Sequence, residues 1–344
     1  MMSEPRTADD RPEMLLASFQ PSRWANELHR EYSAYRERVP AAKCWLLLDP
    51  AIYDPADQLD IDPSLKEQCR PIAWQHTNLV PEHRPYFVEL DLDTHAGDEL
   101  LKASLHLAAG DWAPDASMHG AGHSICGWIF SCRDLTAAAS HLGAMAVQAR
   151  TLDSGTATRT LLRFWDPSTL PLLWEILDPL QRSVLLGPID AWRIVDRFGT
   201  LRTFEASPSP KENSASREQL GLESRQWHAI QNIGAINGAL IELASDRCDR
   251  SGSGINQIQA SLMRARSAGI NDLRDLQEYA KHAFLAAPHF DRHARVKEAI
   301  GNLPTMKYYR AVVGHFTTDD WDAIRQDCLE NFAMFKELEK QNDT

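Results

Sequence analysis

Histidine and cysteine gather in one stretch, His119-Gly-Ala-Gly-His123 followed by Cys126 and Cys132, whose residue types and short spacing fit metal ligation. With a carboxylate as a further ligand, His119 and His123 would hold an ion able to activate water, which defines a metal-dependent hydrolase reading. The stretch lacks a paired C-x-x-C, and a Gly-Ala-Gly spacer makes a pliant loop rather than a stiff ligand frame. Surface histidines and buried thiols are the simpler account, so neither metal nor cofactor is expected. Acidic pairs at Asp91/Asp93 and Asp319/Asp320 have the residue type for acid–base work, but neighbouring carboxylates more often form a solvated edge or a helix start. Asp319 and Asp320 stand just before Trp321, where a helix N-terminus favours negative charge. There is no G-x-S-x-G elbow, P-loop or dinucleotide fingerprint, and Ser251-Gly-Ser-Gly254 has no lysine placed for a phosphate, so it reads as a turn. No catalytic residue is assigned, and an enzyme is not the expectation.

Two further residue types could bind. Arg163 sits among apolar neighbours three residues before Asp166, either as an anion contact or as a guanidinium fork fixed to Asp166 or nearby carbonyls. The second is preferred, because a charge in apolar surroundings needs a partner. Most of the ten tryptophans fall at core spacing; Trp112, in a loop, and Trp227, in a later helix, are the candidates for contact with a partner protein.

Arg163 belongs to the stretch around which the sequence is organised, Thr160 to Val195. Leu161, Leu162, Phe164 and Trp165 form a β-prone run; Asp166 then caps a helix with Pro167 at its first position and Leu170, Leu173, Trp174 and Leu177 on one face. Asp178-Pro179 opens a second short helix that Gly187-Pro188 ends, and Ile189 to Val195 and Leu201 to Phe204 form a hairpin through Phe198-Gly199. Upstream, Trp24, Leu28, Tyr32 and Tyr35 mark a helix over Pro21 to Val39. Strands are expected at Lys43 to Leu48, Arg84 to Leu90, Ser124 to Phe130 and Val147 to Arg150, with helices over Asp98 to Leu107 and, capped by Ser131, Cys132 to Met145.

Residues 206–217, with two prolines and four serines and no bulky apolar side chain, read as a linker. Beyond it the period is helical throughout: Trp227 to Leu243, with Gly234 and Gly238 allowing close approach of another backbone, then Ile255 to Ala268, Ile270 to Ala286, and a last helix carrying Trp321, Ile324, Cys328, Phe332 and Phe335. The expected fold is α+β: a flexible leader over 1–20, a mixed α/β lobe over 21–205 with short strands, the linker, and an all-helical lobe over 218–344.

At 344 residues and 43% hydrophobic, the protein can bury a sizeable core. Its net charge of -12 argues against a nucleic-acid partner, which would call for a basic surface. The polar start lacks a signal-peptide core and no stretch nears the roughly 20 apolar residues of a membrane span, so a cytoplasmic protein without a membrane partner is expected. Six irregularly spaced cysteines fit reduced thiols rather than a disulfide scaffold.

Five stretches, in order and spacing, carry a resemblance: Leu46-Leu-Leu-Asp-Pro-Ala51, Arg84-Pro-Tyr-Phe-Val-Glu-Leu90, Cys126-Gly-Trp-Ile-Phe-Ser131, Leu161-Leu-Arg-Phe-Trp-Asp-Pro167 and Gly187-Pro-Ile-Asp-Ala-Trp192. Over about residues 43 to 205 the sequence resembles the type VI secretion effector chaperones, or adaptors. It departs from their pattern at Pro50, where glycine is usual, and at Ser168, where a basic residue is common. The resemblance implies a bacterial protein that binds one cognate secreted effector, keeps it soluble and helps mount it on the VgrG spike. It also implies a structural signature of Asp49, Arg163, Phe164, Trp165, Asp166 and Pro167. An immunity protein that blocks a toxin is a further alternative.

Overall fold

The computed structural model describes residues 19–51, 53–72, 74, 80–113, 122–151, 155–205, 219–243 and 252–331. The expectations for residues 1–18, His119, the 206–217 linker, Ser251, Phe332 and Phe335 fall outside these. The fold is α+β, and it divides into two compact units, Met1–Ser224 and Arg225–Thr344.

In the first unit, α1 (Pro21–Arg38) starts on a proline that its first turn tolerates, and it buries Trp24, Leu28 and Tyr32. The preceding Phe19 is no part of a free leader: it is 9% exposed and meets Trp24 edge-on at 5.7 Å. After α1 come β1 (Lys43–Leu48), α2 (Pro63–Gln68), β2 (Arg70–Pro71), β3 (Tyr86–Leu90), α3 (His95–Asp111), β4 (Ile125–Ser131) and α4 (Leu135–Ala146). Then follow β5 (Val147–Thr151), β6 (Ala157–Leu161), α5 (Leu170–Ile176), α6 (Pro179–Leu186), β7 (Ala191–Val195) and β8 (Leu201–Glu205). Six strands form one antiparallel sheet in the order β2-β3-β1-β4-β7-β8, and β5 and β6 form a separate antiparallel pair.

Central strands must be apolar on both faces, and β1 is buried from Cys44 to Leu48. Cys44, Leu46 and Leu48 share a core with Leu28 of α1, Leu101 and Leu105 of α3 and Trp128 of β4. Trp45 and Leu47 alternate to the other face, where α4 packs against β2 and β3. There Phe164 meets Trp192 at 6.1 Å and Trp174 meets Phe204 at 5.1 Å. Each of these residues stabilises the fold by about 1.5–3 kcal/mol as its side chain leaves water. Gly127, at φ +131°, lies where the β1–β4 register shifts; a Cβ there would stand 2.3 Å from the Arg193 carbonyl oxygen, so only glycine fits.

Local signals fixed some ends and missed others. Asp178 and Gln181 form a full capping box on α6. Ser131 does not cap α4: it is the last residue of β4, its hydroxyl donates to the Pro188 carbonyl at 2.8 Å, and Asp134 holds the N-cap position. The Leu161-to-Pro167 run is not a strand passing directly into a helix. β6 ends at Leu161, residues 162–169 form an irregular corner, and Thr169 is the N-cap of α5.

The second unit is helical throughout its described residues, with α7 (Ser224–Glu242), α8 (Gly252–Ser267), α9 (Leu273–Leu285), α10 (Ala294–Gly301), α11 (Leu303–Met306), α12 (Tyr309–Val313) and α13 (Thr318–Glu330). Gly252, Ser253 and Gly254 form the first turn of α8 rather than a flexible turn. At Gly238 the close approach is by the Gln277 side chain of α9, 2.6 Å from where a Cβ would stand, and not by a backbone. The short helices between 294 and 313 carry no period long enough to be read in advance. Among the described residues, no helix is long and apolar enough to cross a membrane.

Candidate functional site

One end of the six-stranded sheet collects five of the buried polar residues of the first unit, Asp49, Asp111, His123, Ser124 and Asp166. Asp49 follows β1, His123 and Ser124 precede β4, Asp111 and Trp112 end α3, and Arg163 to Ser168 form the corner between β6 and α5.

Asp49 is the hub. It is 4% exposed; Arg163 Nη2 donates to its Oδ2 at 2.8 Å, Trp165 Nε1 donates to the same oxygen at 2.7 Å, and the Ala51 N–H reaches Oδ1 at 2.9 Å. A buried carboxylate needs such a set, since an unpaired charge could not stay in an apolar surround. Sequence spacing puts Arg163 on Asp166 or nearby carbonyls, but its partner lies 114 residues away. Trp165 is held in turn by Trp74, stacked at 5.2 Å, and by Phe164, edge-on at 5.5 Å.

Asp166 turns instead to its own loop and to His123. Ser168 donates to Asp166 Oδ1 from its N–H at 2.8 Å and its hydroxyl at 2.6 Å, and His123 Nδ1 lies 3.1 Å from the same oxygen. The Asp166 carbonyl also accepts from the Thr169 and Leu170 N–H groups, which leads the backbone into α5. Burial by itself would raise the Asp166 carboxyl; the charge and hydrogen bond of His123, with the Ser168 bonds, outweigh it and hold the group well below the usual carboxylate range.

Asp111 closes the network. Its Oδ2 accepts from the Ser124 N–H at 2.8 Å and the Ser124 hydroxyl at 2.9 Å, and its Oδ1 accepts from the Tyr53 hydroxyl at 3.0 Å. Burial, with Asp111 nearby, pushes the Tyr53 hydroxyl up to about 12. Tyr53, Asp111 and Ser124 carry no motif. One sequence signal could have pointed to Asp111: a carboxylate in the last turn of a helix opposes the macrodipole, so it needs donors from elsewhere.

Trp112 does not lie in a loop, and it is partly buried. It caps the C-terminus of α3, donates from Nε1 to the Val195 carbonyl at 3.0 Å, meets the His123 ring at 3.9 Å and lies under the Arg197 guanidinium at 5.4 Å. Trp227 lies within α7 and is buried, 4% exposed. Pro167 lies in the corner and Phe164 is fully buried. All six signature residues therefore meet at one corner.

The arrangement has limited chemistry. Asp166, held below the usual carboxylate range, is a weak base, and the oxygens of Asp49 and Asp111 already accept several donors. His123 with Asp166 has the geometry of an oriented imidazole, and His123 Nε2 has no hydrogen-bond partner among the described residues. No described hydroxyl or thiol is bonded to that nitrogen. Cys126 turns its sulfur to the His123 carbonyl at 3.8 Å, and burial raises its thiol well above the ordinary value, which leaves it unreactive. Cys132 is exposed at the far end of β4, so Cys126 and Cys132 are not brought together with His123 as ligands. Among the described residues the one trio with metal-ligand spacing is His95, Asp98 and Glu99 in the first turns of α3, where Asp98 already bonds His29 and Lys102. Asp91 accepts the Asp93 N–H, and Asp320 forms a capping box with Thr317 at the start of α13, so both acidic pairs serve local backbone. Comparison with protein-family models, with curated proteins and with solved structures finds no match to this sequence or fold.

Proposed function

We propose that this protein is a cytoplasmic adaptor that binds a cognate type VI secretion effector, keeps it soluble and assists its loading onto the VgrG spike. The observation that supports this reading best is the use made of Asp49: within the resemblance signature, Arg163 and Trp165 both donate to its carboxylate and bind the end of β1 to the β6–α5 corner. A corner tied together in this way shapes a rigid body, which suits a protein whose work is docking. Co-expression with the effector encoded beside it should yield a stoichiometric complex by size-exclusion chromatography. An effector that is equally soluble and equally secreted from cells lacking this protein overturns the proposal.

A hydrolase reading retains one observation, the unpartnered Nε2 of His123 beside Asp166. Elemental analysis of the purified protein tests it: stoichiometric zinc or iron, with loss of stability in chelator, would favour the hydrolase over the adaptor.

A further inference from the structure

A second site lies elsewhere on the first unit, where the start of β1, β2 and the N-terminus of α4 surround a pocket of about 350 Å³. Five charged side chains line it: Lys43, Arg70 and Arg133 against Glu89 and Asp134. The lining sums to one positive charge in a protein of net charge -12. Lys43 is paired with Glu89 at 2.7 Å, and Arg70 is held by the Gln68 and Cys69 carbonyls at 3.1 and 3.2 Å. The Arg133 guanidinium is exposed and has no partner among the described residues.

Two donors of another kind belong to residues that line the same space. Leu135 and Thr136, the first residues of α4, line the pocket, and the Asp134 side chain makes no cap bond, so the leading N–H groups of this twelve-residue helix keep their donor capacity. Trp45, the one buried residue of the lining, is 0% exposed, and its indole N–H has no acceptor among the described residues. Burying a donor without an acceptor is unfavourable, and the fold tolerates it at the inner wall of a pocket whose mouth is cationic.

From this convergence of an unpaired guanidinium, an uncapped helix start and an orphaned indole N–H, we infer that the pocket binds a carboxylate carried on a peptide, either an acidic side chain or the peptide's own C-terminus. The single net positive charge suits a monoanion better than a phosphate dianion, and the volume leaves room for the residue that bears the carboxylate. The inference does not depend on the adaptor reading.

The test follows the indole N–H signal of Trp45 by NMR in the full-length protein labelled at tryptophan, the signal being assigned by its loss in Trp45→Phe. The probes are N-acetylglutamate α-amide, N-acetylglutamine, neutral N-acetylglutamine amide and inorganic phosphate. One or both carboxylates should shift the signal saturably, the stronger naming the source as side chain or C-terminus, while the neutral amide leaves it in place. Arg133→Gln, at an exposed position and with an unchanged melting curve, should weaken binding about tenfold or more, and Asp134→Asn should strengthen it. No saturable shift, equal binding of the neutral amide, tighter binding of phosphate, or unaltered affinity in Arg133→Gln overturns the inference.

Discussion

Asp49 illustrates how one residue holds distant parts of a protein. Its carboxylate is almost fully buried while the Arg163 side chain is 42% exposed, so the two halves of the ion pair are unequal. Removing Asp49 leaves a half-exposed guanidinium to solvent and strands the buried Trp165 N–H, whereas removing Arg163 leaves a buried carboxylate without its counter-charge. Arg163→Ala should therefore destabilise the first unit by about 3 kcal/mol or more. Asp49→Asn, which keeps an acceptor for the Trp165 N–H, should cost less, about 1–2 kcal/mol. Urea denaturation of the full-length protein, following the transition of the first unit, measures both; a loss in Arg163→Ala no larger than in Asp49→Asn would show that the carboxylate does not depend on its counter-charge. The identity of the residues at this corner was legible, since Asp49, Arg163, Trp165 and Asp166 all stand out in the resemblance. Their pairing was not, because Arg163 had a carboxylate three residues away and chose one 114 residues away.

At the scale of elements, the two Asp-headed helices of the first unit behave differently. Asp178 accepts from the Gln181 N–H at 2.8 Å and the Gln181 side chain returns a bond to the Asp178 N–H, while Asp134 makes no side-chain cap bond to α4. Asp178→Ala should cost about 1 kcal/mol and Asp134→Ala only a few tenths, again read from the urea midpoint of the first unit. A larger loss at Asp134 would mean that it caps α4 in solution. Strands and helices with a strong period were readable as elements: α1, β1, β4, α6, β7 and β8 all lie within a few residues of where spacing puts them. Where the sequence offered two caps or a run without a period, tertiary contact decided. Ser131 ends β4 three residues before the N-cap Asp134, and its hydroxyl accepts from the Arg133 N–H instead of from α4; Phe164 and Trp165, β-prone by type, leave the strand to pack on Trp192 and Trp74.

For the whole molecule, the two units carry buried groups whose protonation ties stability to pH. In the second unit His282 is stacked on Trp321 at 3.8 Å, bonded to the Tyr309 hydroxyl at 2.7 Å and flanked by Lys281 and Glu278. Burial, with a further push from Lys281, lowers its pKa to about 3. The folded unit thus keeps this imidazole neutral while the unfolded state takes up a proton below its ordinary value of about 6.5. Stability is fully present above that pH and falls as the pH drops toward 3, by about 2 kcal/mol between pH 7 and pH 5. His282→Phe keeps the ring stack and should flatten this part of the second unit's stability profile, measured by denaturation at each pH. An unchanged slope would assign the pH dependence elsewhere. Asp166 acts in the same direction at lower pH in the first unit: its depressed carboxyl contributes stability above about pH 4 that is lost on acidification.

Sequence alone determined the kind of molecule: an α+β protein with a central run of apolar strands and a helical second part, because hydrophobic period, Asp-Pro starts and glycine stops are local properties. It also singled out the residues of the corner. Tertiary structure decided what those residues do. The six-stranded order, the partly buried place of Trp112, and the choice of Asp49 for Arg163 and His123 for Asp166 depend on which strand ends the sheet brings together; the burial of Trp227 depends on packing around α7. A buried charge must find its partner in three dimensions, and nothing in the spacing along the sequence records where that partner will be.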